Sequence, residues 1–323
     1  MGLPSDTRQL ADIAATTVDS YLPKCIDSVF KSNALMRRMD SKERILLEGG
    51  EKIRQPIIYD KMNMDWYNGL DTFDVSRKET KVPMIFDWKQ AWVNLSVDGL
   101  TMLQNAGAAK VIDLVDTEMD TARLSIADLM GTGLFGDGTG TITSAKAING
   151  LRQAVDDSTN YSSYGGITRG SDAVGLAVKA VYDATGGAIS LSAVNAQFGL
   201  ATIQPEKPDL IVTTQVLWNK LWDRVQPQQR YPTGPAFNDL AEIGFDMINI
   251  NGASIVVDSH VPTGYLFGLN TNYCKLVVHS QRDFHFTGFK VPINQDAIVG
   301  QILWAGNFVA TAPRLQFQMR GLT

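Results

Sequence analysis

A chain of 323 residues, 44% apolar and 20% charged, holds material for two or three packed lobes and has an ordinary globular composition. Its formal net charge of −5 excludes a protein whose affinity comes from an overall basic face, though not a local basic patch. Two widely separated cysteines, Cys25 and Cys274, supply neither a disulfide framework nor metal spacing and fit a reducing compartment. There is no run of roughly 18 apolar residues for a membrane span, no secretory pattern at the N-terminus and no repeat.

Residues 1–42 read as an N-terminal arm and a short helix. Leu10, Ile13, Ala14 and Val18 form a weak stripe between Pro4 and Pro23, so the arm needs a neighbour to order it. Ile26, Val29, Phe30 and Leu35 then mark a helical face.

Residues 43–98 change character. Arg44–Leu47 runs into Glu48-Gly49-Gly50, a turn signal. Ile53, Gln55, Ile57 and Tyr59 alternate with Lys52, Arg54 and Pro56, as in a two-faced strand, and a second strand is predicted from Ile85 through Val97. About 25 residues rich in charge and aromatics join them, including Trp66-Tyr67-Asn68-Gly69-Leu70-Asp71 and Ser76-Arg77-Lys78-Glu79-Thr80-Lys81. A connection that long does not belong inside a compact domain. The hairpin is therefore expected to project, and its aromatics would be an exposed patch unless another chain covered them. That predicts an obligate oligomer, with Trp66, Tyr67, Asp71, Arg77, Lys78 and Lys81 as contact residues.

The longest helical pattern spans Gln104 to Met130. Val111, Val115, Met119, Ala122, Ile126 and Leu129 recur every three or four residues as a core face, and Asp116, Asp120, Thr121 and Arg123 lie opposite. Gly131 and Gly133 are the predicted stop. At 1.5 Å per residue the helix reaches about 40 Å, a spine for whatever packs on it. The glycine-rich Gly131–Gly140 stretch has no lysine after its last glycine and follows no strand, so it reads as a helix-terminating loop, not a phosphate cradle.

Beyond the spine, residues 150–170 are polar and rich in Gly, Ser and Tyr. Helical patches are predicted at Ala173–Ala184 and Ser192–Ile203. Asp209–Thr214 reads as a buried strand, and Thr214 as the cap of a helix from Gln215 to Val225 with Leu217, Trp218, Leu221 and Trp222 inward. Residues 226–238 hold three prolines and read as a loop. Asn251-Gly252 marks a hairpin turn. Leu276–His279, Ile298–Ala310 and Arg314–Met319 alternate as strands.

Catalytic signatures are absent from the sequence: no H-E-x-x-H, G-x-S-x-G, C-x-x-C, EF-hand or dinucleotide fingerprint. His260, His279 and His285 lack the further ligands a metal needs. Asp113, Asp116 and Asp120 read as a solvated or interface face. Trp66, Tyr67, Trp88 and Trp92 could stack bases, but without a basic groove they favour a protein contact. No enzyme activity and no cofactor are expected.

Taken in order, Asn33–Arg38, Gly49-Gly50 before Pro56-Ile57, Trp66–Asp71, Phe86-Asp87-Trp88-Lys89-Gln90, Asn105-Ala106-Gly107, Ile112-Asp113-Leu114 and Leu134–Thr139 followed by Gly150-Leu151 resemble the front half of tailed-bacteriophage major capsid proteins of the HK97-type fold. The match covers roughly residues 28–170, and Tyr164-Gly165-Gly166-Ile167 also resembles a segment of that family. The resemblance implies an α+β chain with an N-terminal arm (1–42), an extended E-loop hairpin (43–98), a P-domain on the spine helix (99–149), an A-domain (150–274) and return strands to the P-domain (275–323). It implies a shell protein that assembles with copies of itself as pentamers and hexamers around packaged double-stranded DNA, bound without sequence preference. Assembly would take place in the host bacterial cytoplasm, with a portal and a decoration or cement protein as further partners and no membrane. With only about 45 residues ahead of the hairpin, a long N-terminal scaffolding segment is not expected; a separate scaffolding protein, or none, would assist. Some family members weld subunits through a Lys–Asn bond, for which Lys61, Lys78 and Lys81 are candidates by position only. An encapsulin-like nanocompartment, with the same fold and an enzyme cargo, is the alternative.

Overall fold

The computed structural model describes residues 35–36, 38–39, 44–100, 108–141, 143–225 and 248–323, leaving aside the side chains of 108–117 and 123. The arm, residues 101–107 and the proline-rich loop at 226–238 lie outside the described residues. The chain divides into two compact units. The first takes residues 1–50, 88–149 and 276–308, and the second takes 51–87, 150–275 and 309–323.

The front half runs β1 (Arg44–Leu47), β2 (Ile53–Ile58), β3 (Lys81–Phe86), β4 (Lys89–Asp98) and α1 (Ala108–Leu134). The long second strand predicted from Ile85 to Val97 is two strands. It breaks at Asp87-Trp88: β3 pairs with β2 in a hairpin of the second unit, while β4 joins the first unit's sheet. Trp88 is pinned at the break, its indole donating to the Gly50 carbonyl at 2.8 Å and its ring meeting His279 edge-on at 5.5 Å. The hairpin therefore carries one tryptophan, Trp66, where the sequence suggested three.

The first unit's sheet is built on the later strand β14 (Ala297–Ala310). Strand β4 lies antiparallel along it from Lys89↔Gly306 to Asp98↔Ala297. The path of the sheet continues through β12 (Cys274–His279) to β1, which pairs parallel with it, Arg44 opposite Leu276; β13 (His285–Phe286) lies on β14's other side. Helix α1 packs along β4. It begins at Ala108 and passes through Gly131 and Gly133 to Leu134, four residues beyond the predicted end. Packing overrides the glycines' cost of about 1 kcal/mol each. Leu134 and Phe135 are both buried, and a side chain at Gly133 would crowd Ile148, its Cβ 3.1 Å from Cγ1.

The second unit holds a six-stranded mixed sheet in the order β7 (Val181–Asp183), β15 (Phe317–Met319), β11 (Leu266–Leu269), β8 (Leu210–Thr213), β10 (Ala253–Val257), β9 (Ile248–Ile250). Helices α4 (Leu191–Ala201) and α5 (Gln215–Val225) pack on it; the shorter α2 (Leu151–Ala154) and α3 (Ala173–Ala177) precede them. Val194, Phe198, Leu217, Leu221, Ile211, Ile255, Leu266 and Phe317 share one core, against which the stacked Trp218 and Trp222 lean. Four expectations change here. The patch at Ala173–Ala184 is a five-residue helix followed by strand β7. Thr214 offers its carbonyl to Trp218 N, but its buried hydroxyl has no partner, so it is no side-chain cap. Residues 309–323 belong to this unit, where β15 pairs with β11, so not all of 275–323 returns to the first unit. Arg314 and Leu315 sit in a short 3₁₀ turn, and only Phe317–Met319 of the predicted last strand is extended. The Asn251-Gly252 turn, with φ of 52° and 87°, joins β9 and β10 as its sequence predicts.

Candidate assembly surface

Strands β2 and β3 pair from Ile53↔Phe86 to Ile58↔Lys81. One face of the ribbon is buried through Ile53, Ile57, Met84 and Phe86, and the other presents Arg54, Pro56, Ile58, Lys81, Pro83 and Ile85. In an antiparallel pair, alternate residues turn their backbone groups outward. Tyr59 N bonds inward to Thr80 O, and Ile85 N bonds outward to Gly165 O at 2.8 Å. Pro56 and Pro83, directly opposed, thus occupy outward-turned positions where no ladder bond needs their missing N–H.

Between the strands, residues 59–80 form an extended loop held by short-range polar bonds. Asn63 Nδ2 reaches across to Asp74 Oδ2 at 2.9 Å and Ser76 O at 3.2 Å. Asn68 N donates to Asp71 Oδ2 at 2.7 Å at the tip. Lys78 Nζ meets Asp60 Oδ2 at 2.8 Å near the root, and this bond lowers the Asp60 pKa. The Ser76 hydroxyl and N–H likewise lower that of Asp74.

With the polar groups used internally, the apolar ones face outward. Trp66 is 99% and Leu70 101% exposed, and Met62, Met64, Tyr67, Phe73 and Val75 are exposed as well. Tyr67 and Phe73 touch only edge-to-face, 5.1 Å apart. Burying a large side chain is worth about 1.5–3 kcal/mol, and this loop leaves seven unburied in 14 residues. Monomeric soluble proteins rarely leave so much contiguous apolar surface uncovered.

The predicted contact residues fall on this loop and at its root: Trp66, Tyr67 and Asp71 at the tip, Arg77 and Lys78 on the returning limb, and Lys81 at the start of β3, all exposed. The structure adds Met62, Met64, Leu70, Phe73 and Val75 to the exposed set. Their signal was present as isolated apolar residues in a stretch with no period. On the spine helix Met119, Ala122 and Ile126 are buried, whereas Leu129 is 49% exposed; Met130 takes the buried position. One residue is 100° around the helix, so Leu129 lies at the edge of a stripe that continues through Met130 and Leu134. The side chains of Val111 and Val115 lie outside the described residues. Among the described residues no group of three or more His, Cys, Asp or Glu could hold a metal ion, and no helix is long and apolar enough to cross a membrane.

No protein-family model and no curated protein matches the chain. Solved structures do. The cyanophage A-1(L) capsid asymmetric unit superposes with a TM-score of 0.65 at 13% identity, over 89% of this chain and 92% of that one. The capsid of a native GTA particle gives 0.60 at 9% identity, over 90% of each chain. The chain has the HK97-type capsid fold. An encapsulin complex from Synechococcus elongatus also shares this capsid fold, with a TM-score of 0.54 at 8% identity over 90% of this chain and 89% of that one.

Proposed function

We propose that this chain is the major capsid protein of a tailed bacteriophage, whose copies join as pentamers and hexamers into an icosahedral shell enclosing double-stranded DNA. The observation that carries this reading is the apolar loop displayed on a capsid fold, because a subunit with that surface is complete only against another copy. In this reading the hairpin is the E-loop, the first unit corresponds to the P-domain and the second contains the A-domain. Trp66, Tyr67, Asp71, Arg77, Lys78 and Lys81 contact the neighbouring subunit. The protein has a structural role and no enzymatic one. DNA is held without sequence preference by local Lys and Arg on the inner face, a weak, salt-sensitive attraction compatible with the net negative charge. A separate scaffolding protein, a portal and a decoration or cement protein complete the partner set, and the shell forms in the host bacterial cytoplasm before it becomes the virion capsid.

The encapsulin neighbour supports a second reading, a nanocompartment shell around an enzyme cargo. Negative-stain microscopy of the purified protein tests both. Closed shells of uniform size are expected, and their contents, DNA or protein, separate virus from compartment. Discrete monomers under all assembly conditions would reject the shell.

A further inference from the structure

The hairpin does not leave its unit freely. Strands β5 (Ser163–Tyr164) and β6 (Ile167–Thr168) form a miniature ribbon closed by Gly165 and Gly166, both with positive φ (58° and 77°), the turn that two glycines allow. This turn abuts β3. Gly165 O accepts from Ile85 N at 2.8 Å, and a side chain at Gly165 would lie 2.7 Å from Met84 Cβ and 3.0 Å from Phe86 Cζ. Phe86 packs edge-on against the Tyr164 ring at 5.1 Å.

Tyr164 is itself fixed. It is fully buried, and its hydroxyl accepts from Ala310 N at 2.8 Å. The Arg169 guanidinium lies 5.4 Å from its ring centre and donates to the carbonyls of Gln153, Ala154, Tyr161 and Val178. Asp156, also buried, gathers the N–H groups of Ser158, Asn160 and Tyr161.

We propose that the Tyr164–Ile167 turn is a latch that fixes the angle at which the assembly hairpin leaves its unit, with Gly165 and Tyr164 as positioning residues for subunit contact. The ribbon is only two strands wide, and a two-stranded hairpin is marginally stable on its own. The latch supplies the third contact: one backbone bond to β3, one ring against Phe86, and a glycine that permits the approach. A loop of residues 59–80, whose tip at 68–71 lies about ten residues beyond each strand, converts a small change in root angle into a larger displacement at Trp66. This inference rests on the hairpin's proposed role in subunit contact.

Ile85→Pro isolates the latch. Ile85 turns outward as Pro83 does, so proline there removes the bond to Gly165 and no bond within the β2–β3 ladder. Gly165→Ala attacks the same contact by crowding. The expected result for Ile85→Pro is an unchanged circular dichroism spectrum, faster hydrogen exchange across β2 and β3 in the free subunit, and loss of closed shells of uniform diameter. Wild-type exchange at the hairpin root, or shells of wild-type yield and diameter, would overturn the latch. If the wild-type protein forms no shells, the assembly reading fails, and hydrogen exchange at the root still decides the latch on its own. Should Gly165→Ala not fold, Ile85→Pro remains the deciding variant.

Discussion

Arg169 commits every arm of its guanidinium to backbone oxygens, so its removal takes a donor from four carbonyls, those of Ala154 and Val178 buried, and leaves Asp156 without its cation at 4.0 Å. Arg169→Met should cost about 3–5 kcal/mol, the scale of breaking a buried charged network, read as a lower urea midpoint. Burial pushes the Tyr164 hydroxyl well above its ordinary value of 10.0. A group that holds its proton more tightly when folded contributes fully below the unfolded value and loses that contribution as pH rises beyond it. Stability should therefore fall above about pH 10, where the unfolded tyrosine ionises. Tyr164→Phe should flatten that alkaline decline at the cost of an unpaired Ala310 N–H, both measurable by thermal unfolding across pH. Arg169 did not announce itself in the sequence. Tyr164-Gly165-Gly166-Ile167 stood out as a motif without a role, because its meaning depends on Met84, Phe86 and Ala310, which lie 78 to 146 positions away.

The long helix and the hairpin show what periodicity reveals and what it hides. Apolar spacing located α1 and the buried Met119, Ala122 and Ile126 of its stripe, since a 3.6-residue period is a local property. It misplaced the end, because the helix runs on through Gly131 and Gly133 to bury Leu134, a tertiary fact. Ile126→Ala should destabilise the first unit by about 2–4 kcal/mol, whereas Leu129→Ser should stay within about 1 kcal/mol; paired denaturant titrations separate the two. Alternation likewise revealed β3 and β4 but not their division. Both strands alternate, and nothing in a period of two says that the chain changes sheets at Asp87. Only pairing with β14 settles that.

For the molecule as a whole, the sequence announced a long, aromatic-rich connection that no compact domain would hold, and the structure shows it displayed. The double substitution Trp66→Ser and Leu70→Ser should leave the free subunit's unfolding midpoint within about 1 kcal/mol of wild type, as expected for fully exposed positions, while sedimentation velocity shows loss of large assemblies. Which apolar residues would be exposed was not legible, because exposure depends on what the rest of the fold leaves uncovered. Crowding adds one demand that no single subunit meets. In the proposed shell, copies would stand side by side at concentrations that favour pairing of open strand edges. Pro56 and Pro83 sit opposite each other in the ribbon, and each outer edge lacks an amide at that step. An incoming strand would find a carbonyl and no donor. In the proposed assembly the ribbon would bring its loop to a neighbour while its opposed prolines disfavour edge-to-edge stacking of ribbons.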